Sequence, residues 1–276
     1  MQIGCHISVA RGFLGAVEKA RALRADGLQY FTKSPRMLRF RKTLDEEDAE
    51  AGKARQADWG LVSLGHAPYL INLSAPEAEM REASVEALRW DMVVAHARGS
   101  LGVVVHCGKH KGDGVEAGIA RMRECLERTL EDAPAIPLLL ENTAGQGTEL
   151  GDTVDQLLAL VDGIAPPDRL GFCLDTQHAY AAGILDSENP EAFDGFHNPA
   201  FMERLKAVHL NDSKVAFGHR ADRHALIGQG YMGAEGVRRL LVTPALAALP
   251  FFLETPVEDE DQYADEIRIC RELVAG

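Results

Sequence analysis

Eight short apolar runs, most of them ending in a polar residue, recur along this chain and are separated by stretches of helical periodicity. That alternation implies a parallel sheet joined by crossover helices, because parallel neighbours need a connection long enough to return across the sheet. Strands are expected over residues 2–6, 28–32, 61–66, 102–106, 137–141, 170–175, 205–209 and 251–254. Helices are expected over 15–25, 45–59, 78–98, 114–131, 152–161, 233–241 and 261–274, with a further helical segment near 199–205. Eight strand–helix pairs predict an α/β fold closed into a (β/α)8 barrel, the TIM barrel, and 276 residues suit one such barrel as a single domain over 1–276. Pro134, Pro137, Pro166 and Pro167 fall where connections are expected, and no solenoid-length repeat interrupts the pattern.

Composition narrows the setting. No apolar run approaches the ~18 residues of a membrane span, and MQIGCHIS lacks the basic and apolar regions of a secretion signal, so a cytoplasmic protein without membrane contact is expected. Five cysteines without a CxxC pair argue against a disulfide framework or a thiolate zinc site. The formal charge of −13 speaks against a simple basic patch for nucleic acid, but it counts no bound cation.

In a barrel of this kind the chemistry sits at the C-terminal ends of the strands. Strands three to eight finish on His66, His106, Glu141, Asp175, His209 and Glu254. Each alone has an ordinary explanation as a core histidine, a helix cap or a loop anchor. Six together do not, because converging buried carboxylates and imidazoles are costly without a cation to pair with. His178 follows in DTQH and can turn back over the same mouth. After the seventh strand, the stretch 208–230 reads as an ordered loop, in which Asp222 and His224 stand at i and i+2 and project to one side if extended. These nine residues, five imidazoles and four carboxylates, are too many for one ion. They imply two or three metals with bridging carboxylates, and a nitrogen and oxygen donor set without thiolate suits Zn²⁺, with Mn²⁺ and Fe²⁺ admitted.

The same residues stand in GHAPYLINLS (65–74), LENTAGQG (140–147), CLDTQHAYAAG (173–183), HLNDSK (209–214), DRH (222–224) and LET (253–255). With GCHIS at 4–8, these strings closely resemble the endonuclease IV family of apurinic/apyrimidinic endonucleases, over nearly the whole chain. The resemblance implies three zinc ions, with Mn²⁺ admitted at one site. The first would be held by His66, His106 and bridging Glu141, the second by Glu141, Asp175, His209 and Glu254, and the third by His178, Asp222 and His224. It implies hydrolysis of the phosphodiester 5′ to an abasic site in duplex DNA, leaving a 3′-hydroxyl and a 5′-deoxyribose phosphate, with trimming of blocked 3′ ends. Clustered cations suit that reaction, since they activate water near neutral pH and stabilise charge on phosphate oxygens. Glu141 and Glu254 are placed by analogy as catalytic carboxylates.

Contacts to DNA are expected from loops on the same face. KSPRMLRFRK at 33–42 puts five basic residues and Phe40 after the second strand, as a phosphate-tracking loop would, and Lys33 and Arg39 belong to it. Arg36 and the pair Tyr69-Leu70 match family residues that insert at the lesion, a device that unstacks and kinks a duplex. Lys214, Arg220 and Arg223, with Lys109 and Lys111, add positive charge near the mouth. HCGKH at 106–110 departs from the family's HPGSH, and the segment between Gly183 and His209 is a few residues short, which bears on loop shape. Acidic runs at 45–48 and 258–261 suit helix N-termini, but would repel phosphate if turned inward. By analogy the chain is a monomer without an obligatory protein partner. Two rivals stay open: a metal-dependent sugar isomerase or epimerase on the same barrel, and a non-catalytic binder of damaged DNA.

Overall fold

The computed structural model describes residues 1–38 and 43–275. Its strands are β1 (Gln2–His6), β2 (Gly27–Phe31), β3 (Val62–His66), β4 (Val103–His106), β5 (Leu138–Glu141), β6 (Leu170–Asp175), β7 (Leu205–His209), β8 (Asp212–Ser213), β9 (His224–Ala225) and β10 (Pro250–Leu253). All but β8 and β9 run parallel and close into a barrel in the order β1-β10-β7-β6-β5-β4-β3-β2, while β8 and β9 form a small antiparallel hairpin. The helices are α1 (Phe13–Ala22), α2 (Glu46–Asp58), α3 (Ala78–Ala97), α4 (Val115–Glu131), α5 (Val154–Val161), α6 (Thr176–Ala182), α7 (Asp194–His197), α8 (Pro199–Met202), α9 (Gly233–Val242) and α10 (Tyr263–Ala275). The expected (β/α)8 barrel is the observed fold.

Two cores hold it together. A large one lies between the sheet and the helices, and a small one fills the barrel with Leu64, Val104, Leu139, Cys173, Ala207 and Phe252, one residue from each of six strands. The two strands missing from that inner set carry glycine instead. A Cβ on Gly4 would lie 2.7 Å from the Gly27 carbonyl oxygen and 2.8 Å from the Phe252 ring, and one on Gly27 would lie 2.6 Å from the Val62 carbonyl oxygen. Phe252 therefore occupies room that these two glycines leave, a large-against-small fit of the kind that close packing demands.

This inner layer positions everything above it. Side chains alternate along a strand, so the residue two places beyond an inward residue points inward again, one level nearer the mouth. Two places beyond Leu64, Val104, Leu139, Cys173, Ala207 and Phe252 stand His66, His106, Glu141, Asp175, His209 and Glu254. Two places beyond Gly4 and Gly27 stand His6 and Gln29. The register sets His106 beside Glu141 and Asp175 beside His209.

The differences from expectation have local causes. Glu254 lies one residue beyond β10 rather than within it. The helical segment expected near 199–205 is the single turn of α8, capped by Asn198, which accepts from the Ala200 and Phe201 amides, and it stops before Leu205, where β7 begins; α7, just before it, lies outside the expected segment. Helix α6 is absent from the expected set; it follows β6 without a loop, because the Asp175 side chain accepts from the His178 amide as an N-cap and Gly183 ends it in the left-handed conformation. The acidic runs do sit at helix starts. Asp48 also reaches across to the first turn of α1, accepting from Phe13 and Leu14 at 2.6 and 3.2 Å, while Glu260 accepts from Ser8 at 2.7 Å. The five cysteines are free and buried. Among the described residues no helix is long and apolar enough to cross a membrane.

Candidate metal centre

The ring at the mouth converges on Glu141, which is fully buried. Its two oxygens face different partners: Oε2 lies 3.3 Å from His66 Nε2 and 3.1 Å from His106 Nε2, and Oε1 lies 2.9 Å from His209 Nδ1. His209 Nδ1 is also 3.2 Å from Glu254 Oε2 and 3.9 Å from Asp175 Oδ2. Beyond Asp175, the loop brings Asp222 between two imidazoles, 3.3 Å from His178 Nε2 through one oxygen and 3.3 Å from His224 Nε2 through the other. All nine residues singled out as ligands are thus brought together. Three overlapping groups could each hold a cation: His66, Glu141 and His209; Glu141, Asp175, His209 and Glu254; Asp175, His178 and His224. The second is the set that the resemblance implies. The first contains His209 in place of His106, although His106 stays against Glu141.

The fit to metal can be judged on spacing and on unmet valence. A tetrahedral ion with bonds of about 2.0–2.1 Å separates its ligand atoms by roughly 3.3 Å, and most of these contacts lie near that value. His178 Nε2 and His224 Nε2 are buried and make no hydrogen bond, which is costly for a polar atom unless something else binds it. Their opposite nitrogens are occupied: His178 Nδ1 donates to the Asn142 carbonyl at 2.9 Å, and His224 Nδ1 to the Glu254 carbonyl at 3.1 Å. Each lone pair is thereby left facing the centre. The residues present fit divalent cations.

Without cations, protons take their place. Burial alone would lower His178 and His209, but Asp175 and Asp222 around the first, and Cys173, Glu254 and Glu141 around the second, hold both well above the usual imidazole range. Burial would raise Glu141 and Glu254, yet the imidazoles, His209 foremost, hold both well below the carboxylate range, and Asp222 is brought down to about 2 by His178. The raised imidazoles contribute stability that is complete below about pH 6.5 and is lost as pH rises through their folded values. The depressed carboxylates contribute stability present above about pH 4.5 and lost as pH falls through theirs. Thermal unfolding of chelator-treated protein should therefore show its highest Tm between those limits and a decline toward alkaline pH, and added Zn²⁺ should remove the decline. A flat alkaline limb in the chelated protein would mean that protons do not substitute for cations here.

Residues that sequence reasoning missed complete the ring. Gln29 is fully buried between Glu254 and His209. His6 stands 3.8 Å from Glu254. Asn211 donates to Asp175 Oδ2 at 2.7 Å and accepts from the Glu254 amide at 2.9 Å, and Asn142 accepts from the Asp175 amide at 2.7 Å. The signal that could have found Gln29 and His6 is their position two places beyond an inward glycine.

Comparison with known proteins decides the family. The family described as xylose isomerase-like TIM barrel matches residues 17–273. The protein named probable endonuclease 4 of Symbiobacterium thermophilum is 46% identical, over 99% of this chain and 100% of its own length. The crystal structure of endonuclease IV from Thermus thermophilus superposes with a TM-score of 0.87 at 38% identity, over 100% of this chain and 99% of that one. The chain belongs to the endonuclease IV family. A 3-keto-D-glucoside 4-epimerase from E. coli, at TM-score 0.70 and 14% identity over 99% of both chains, shares the barrel.

Around the centre of this endonuclease IV family member, the loop residues fall into two groups. Tyr69 and Leu70 are exposed, at 58% and 46%, and the Tyr69 ring stands 5.3 Å from His106 and 5.6 Å from His66. With Lys109, Lys111, Asp222 and Arg223 they line a cavity of about 410 Å³ that opens beside the ligands. Arg36 and Lys214 are exposed. Lys33 is a correction: its ammonium lies 2.5 Å from Asp91 and 3.2 Å from the Ala87 carbonyl, with a side chain only 7% exposed, so it ties the loop to α3 rather than facing a phosphate. Arg220 pairs with Asp152 at 2.5 Å while staying half exposed, and Arg223 donates to the Asp222 carbonyl, steadying the loop that carries Asp222. Arg39 lies outside the described residues. His219 is exposed and does not join the centre.

Proposed function

We propose that this chain is a zinc-dependent apurinic/apyrimidinic endonuclease of base-excision repair, which hydrolyses the phosphodiester 5′ to an abasic site in duplex DNA and leaves a 3′-hydroxyl and a 5′-deoxyribose phosphate. The observation that carries this reading is the position of Glu141, shared by two of the three cation-sized groups, with the exposed Tyr69 ring standing 5.3 Å from His106 beside them. A sugar isomerase needs one or two cations and no exposed wedge. Removal of blocking groups from 3′ ends, a monomeric state and a cytoplasmic setting belong to the same proposal.

Nine side chains would hold the cations: His66, His106, Glu141, Asp175, His178, His209, Asp222, His224 and Glu254. Bound there, zinc supplies the charge that stabilises phosphate oxygens and makes water acidic enough to attack, with Mn²⁺ an admissible occupant of one site. The protein's own part is electrostatic and steric. Four carboxylates by themselves repel a phosphodiester, so the chain accepts substrate only when their charge is offset. Glu254, 10% exposed and held on its Oε1 side by Gln29, is the carboxylate we assign to accept a proton at the mouth. Arg36, Tyr69 and Leu70 would enter the duplex, where an abasic site costs little to unstack. Lys214, Arg220 and Arg223 would follow the backbone.

Incision of a duplex oligonucleotide bearing one tetrahydrofuran abasic analogue tests the reading, with product ends identified by mass spectrometry and an undamaged duplex as control. The analogue cannot undergo β-elimination, so a 3′-hydroxyl product is expected from hydrolysis alone. Absence of cleavage by zinc-replete protein, together with turnover of a ketose, would favour the isomerase. Arg36→Ala and Tyr69→Ala should each lower preference for the lesion duplex by about 1–3 kcal/mol, the scale of one aromatic stacking contact, without changing bound zinc. A changed zinc content in either variant would assign these residues to the centre instead.

A further inference from the structure

We propose that Gln29, on β2, is a positioning residue that fixes which nitrogen of His209 and which oxygen of Glu254 face the centre. The inference rests on reading the centre as a cation site. Gln29 is fully buried, and both ends of its amide are engaged. Its Oε1 accepts from His209 Nε2 at 2.6 Å; its Nε2 donates to Glu254 Oε1 at 2.6 Å and to His6 Nδ1 at 3.2 Å. The opposite amide orientation would set N–H against the His209 N–H and oxygen against the Glu254 carboxylate, so the neighbours admit only one.

The arrangement matters because His209 is turned the other way from its companions. His66, His178 and His224 each donate from Nδ1 to a backbone carbonyl, of Ala67, Asn142 and Glu254, and present Nε2 to the centre. His209 presents Nδ1 to Glu141, Glu254 and Asp175, and its outward nitrogen is Nε2. A side chain supplies the acceptor there, and that side chain is Gln29. With Nε2 protonated and held, Nδ1 keeps its lone pair toward a cation; with Oε1 of Glu254 taken, Oε2 is the oxygen left for the same cation, 3.2 Å from Nδ1. One neutral amide thus orders two ligands without adding charge. A carboxylate in its place would repel Glu254.

The test compares wild type with Gln29→Met, which keeps the volume, and Gln29→Ala. Zinc affinity is measured by competition with a chromophoric chelator. Long-range ¹H–¹⁵N spectra of histidine-labelled, zinc-loaded protein report the His209 ring, assigned by its loss in His209→Gln, and kcat and KM are measured on the abasic-analogue duplex. Both variants should weaken one class of bound zinc about 10–100-fold while the rest binds as in wild type, shift or broaden the His209 Nε2–H resonance, and lower kcat with KM unchanged. A Gln29→Met protein with wild-type zinc affinity and an unmoved His209 Nε2–H signal would overturn the role of Gln29 while leaving the centre intact. Uniform loss of all zinc together with a collapsed Tm in both variants would reduce Gln29 to a packing residue. Wild-type protein that takes up no zinc would remove the reading of the centre itself.

Discussion

Glu254→Gln should lower incision of the abasic-analogue duplex by about 10²–10⁴-fold, the usual range for losing a positioned proton acceptor. The substitution preserves shape but replaces an ionised carboxylate by an amide. An amide can accept from the Gln29 N–H through its oxygen, but it then turns an NH₂ toward Nδ1 of His209 and the centre, where it can neither ligate a cation nor accept a proton. The barrel itself should stand, because β10 is anchored below by Phe251 and Phe252 in its two cores rather than by Glu254. Steady-state kinetics with zinc content measured on the same sample separate the outcomes. Near-normal kcat with full zinc would exclude Glu254 from the reacting centre.

Glu141→Ala should act on the metal before it acts on the chemistry. One carboxylate touches His66, His106 and His209 through both its oxygens, so its removal opens two of the three cation groups together. Bound zinc is expected to fall by at least one equivalent per chain and incision by about 10³-fold or more. The chelated variant should also be less stable by on the order of 3–5 kcal/mol, since buried imidazoles that share a proton with Glu141 lose their counter-charge. Elemental analysis after dialysis and chemical unfolding with chelator present measure the two effects independently. Full zinc retention would show that Glu141 does not bridge.

Much of this centre is legible in the sequence, and the reason lies in the period of a strand. A run such as VVVH or LLLE is inward-facing at alternate positions, so its terminal polar residue falls over the barrel axis whenever the residue two places earlier is inside. His66, His106, Glu141, Asp175 and His209 follow from that rule, and Glu254 follows although its strand stops one residue short. Gln29 escapes because the apolar run that marks the second strand extends to Thr32, which puts its mouth position beyond the true one, and because an amide carries no signature of a ligand. Helix α6 escapes because a seven-residue helix starting directly after the last residue of a strand leaves no loop to announce it. Lys33 is misplaced for a different reason: nothing local in KSPRMLRFRK indicates that Asp91, far along the chain on α3, waits beneath it. Short-range patterns locate a residue on its own strand or helix; they do not say which distant side chain will meet it there.

The ring at the mouth draws on all eight strands of the barrel, and this has a bearing on biosynthesis. Strand β10 is inserted between β1 and β7, so the first strand made waits for the last before its edge is covered. A nascent chain that has emerged through β9 already carries every candidate ligand but Glu254, yet its sheet is still open, with His6 on one uncovered edge strand and His209 on the other. Because Glu254 arrives with the strand that seals the cylinder, the candidate group that includes it is complete only once that strand has been made.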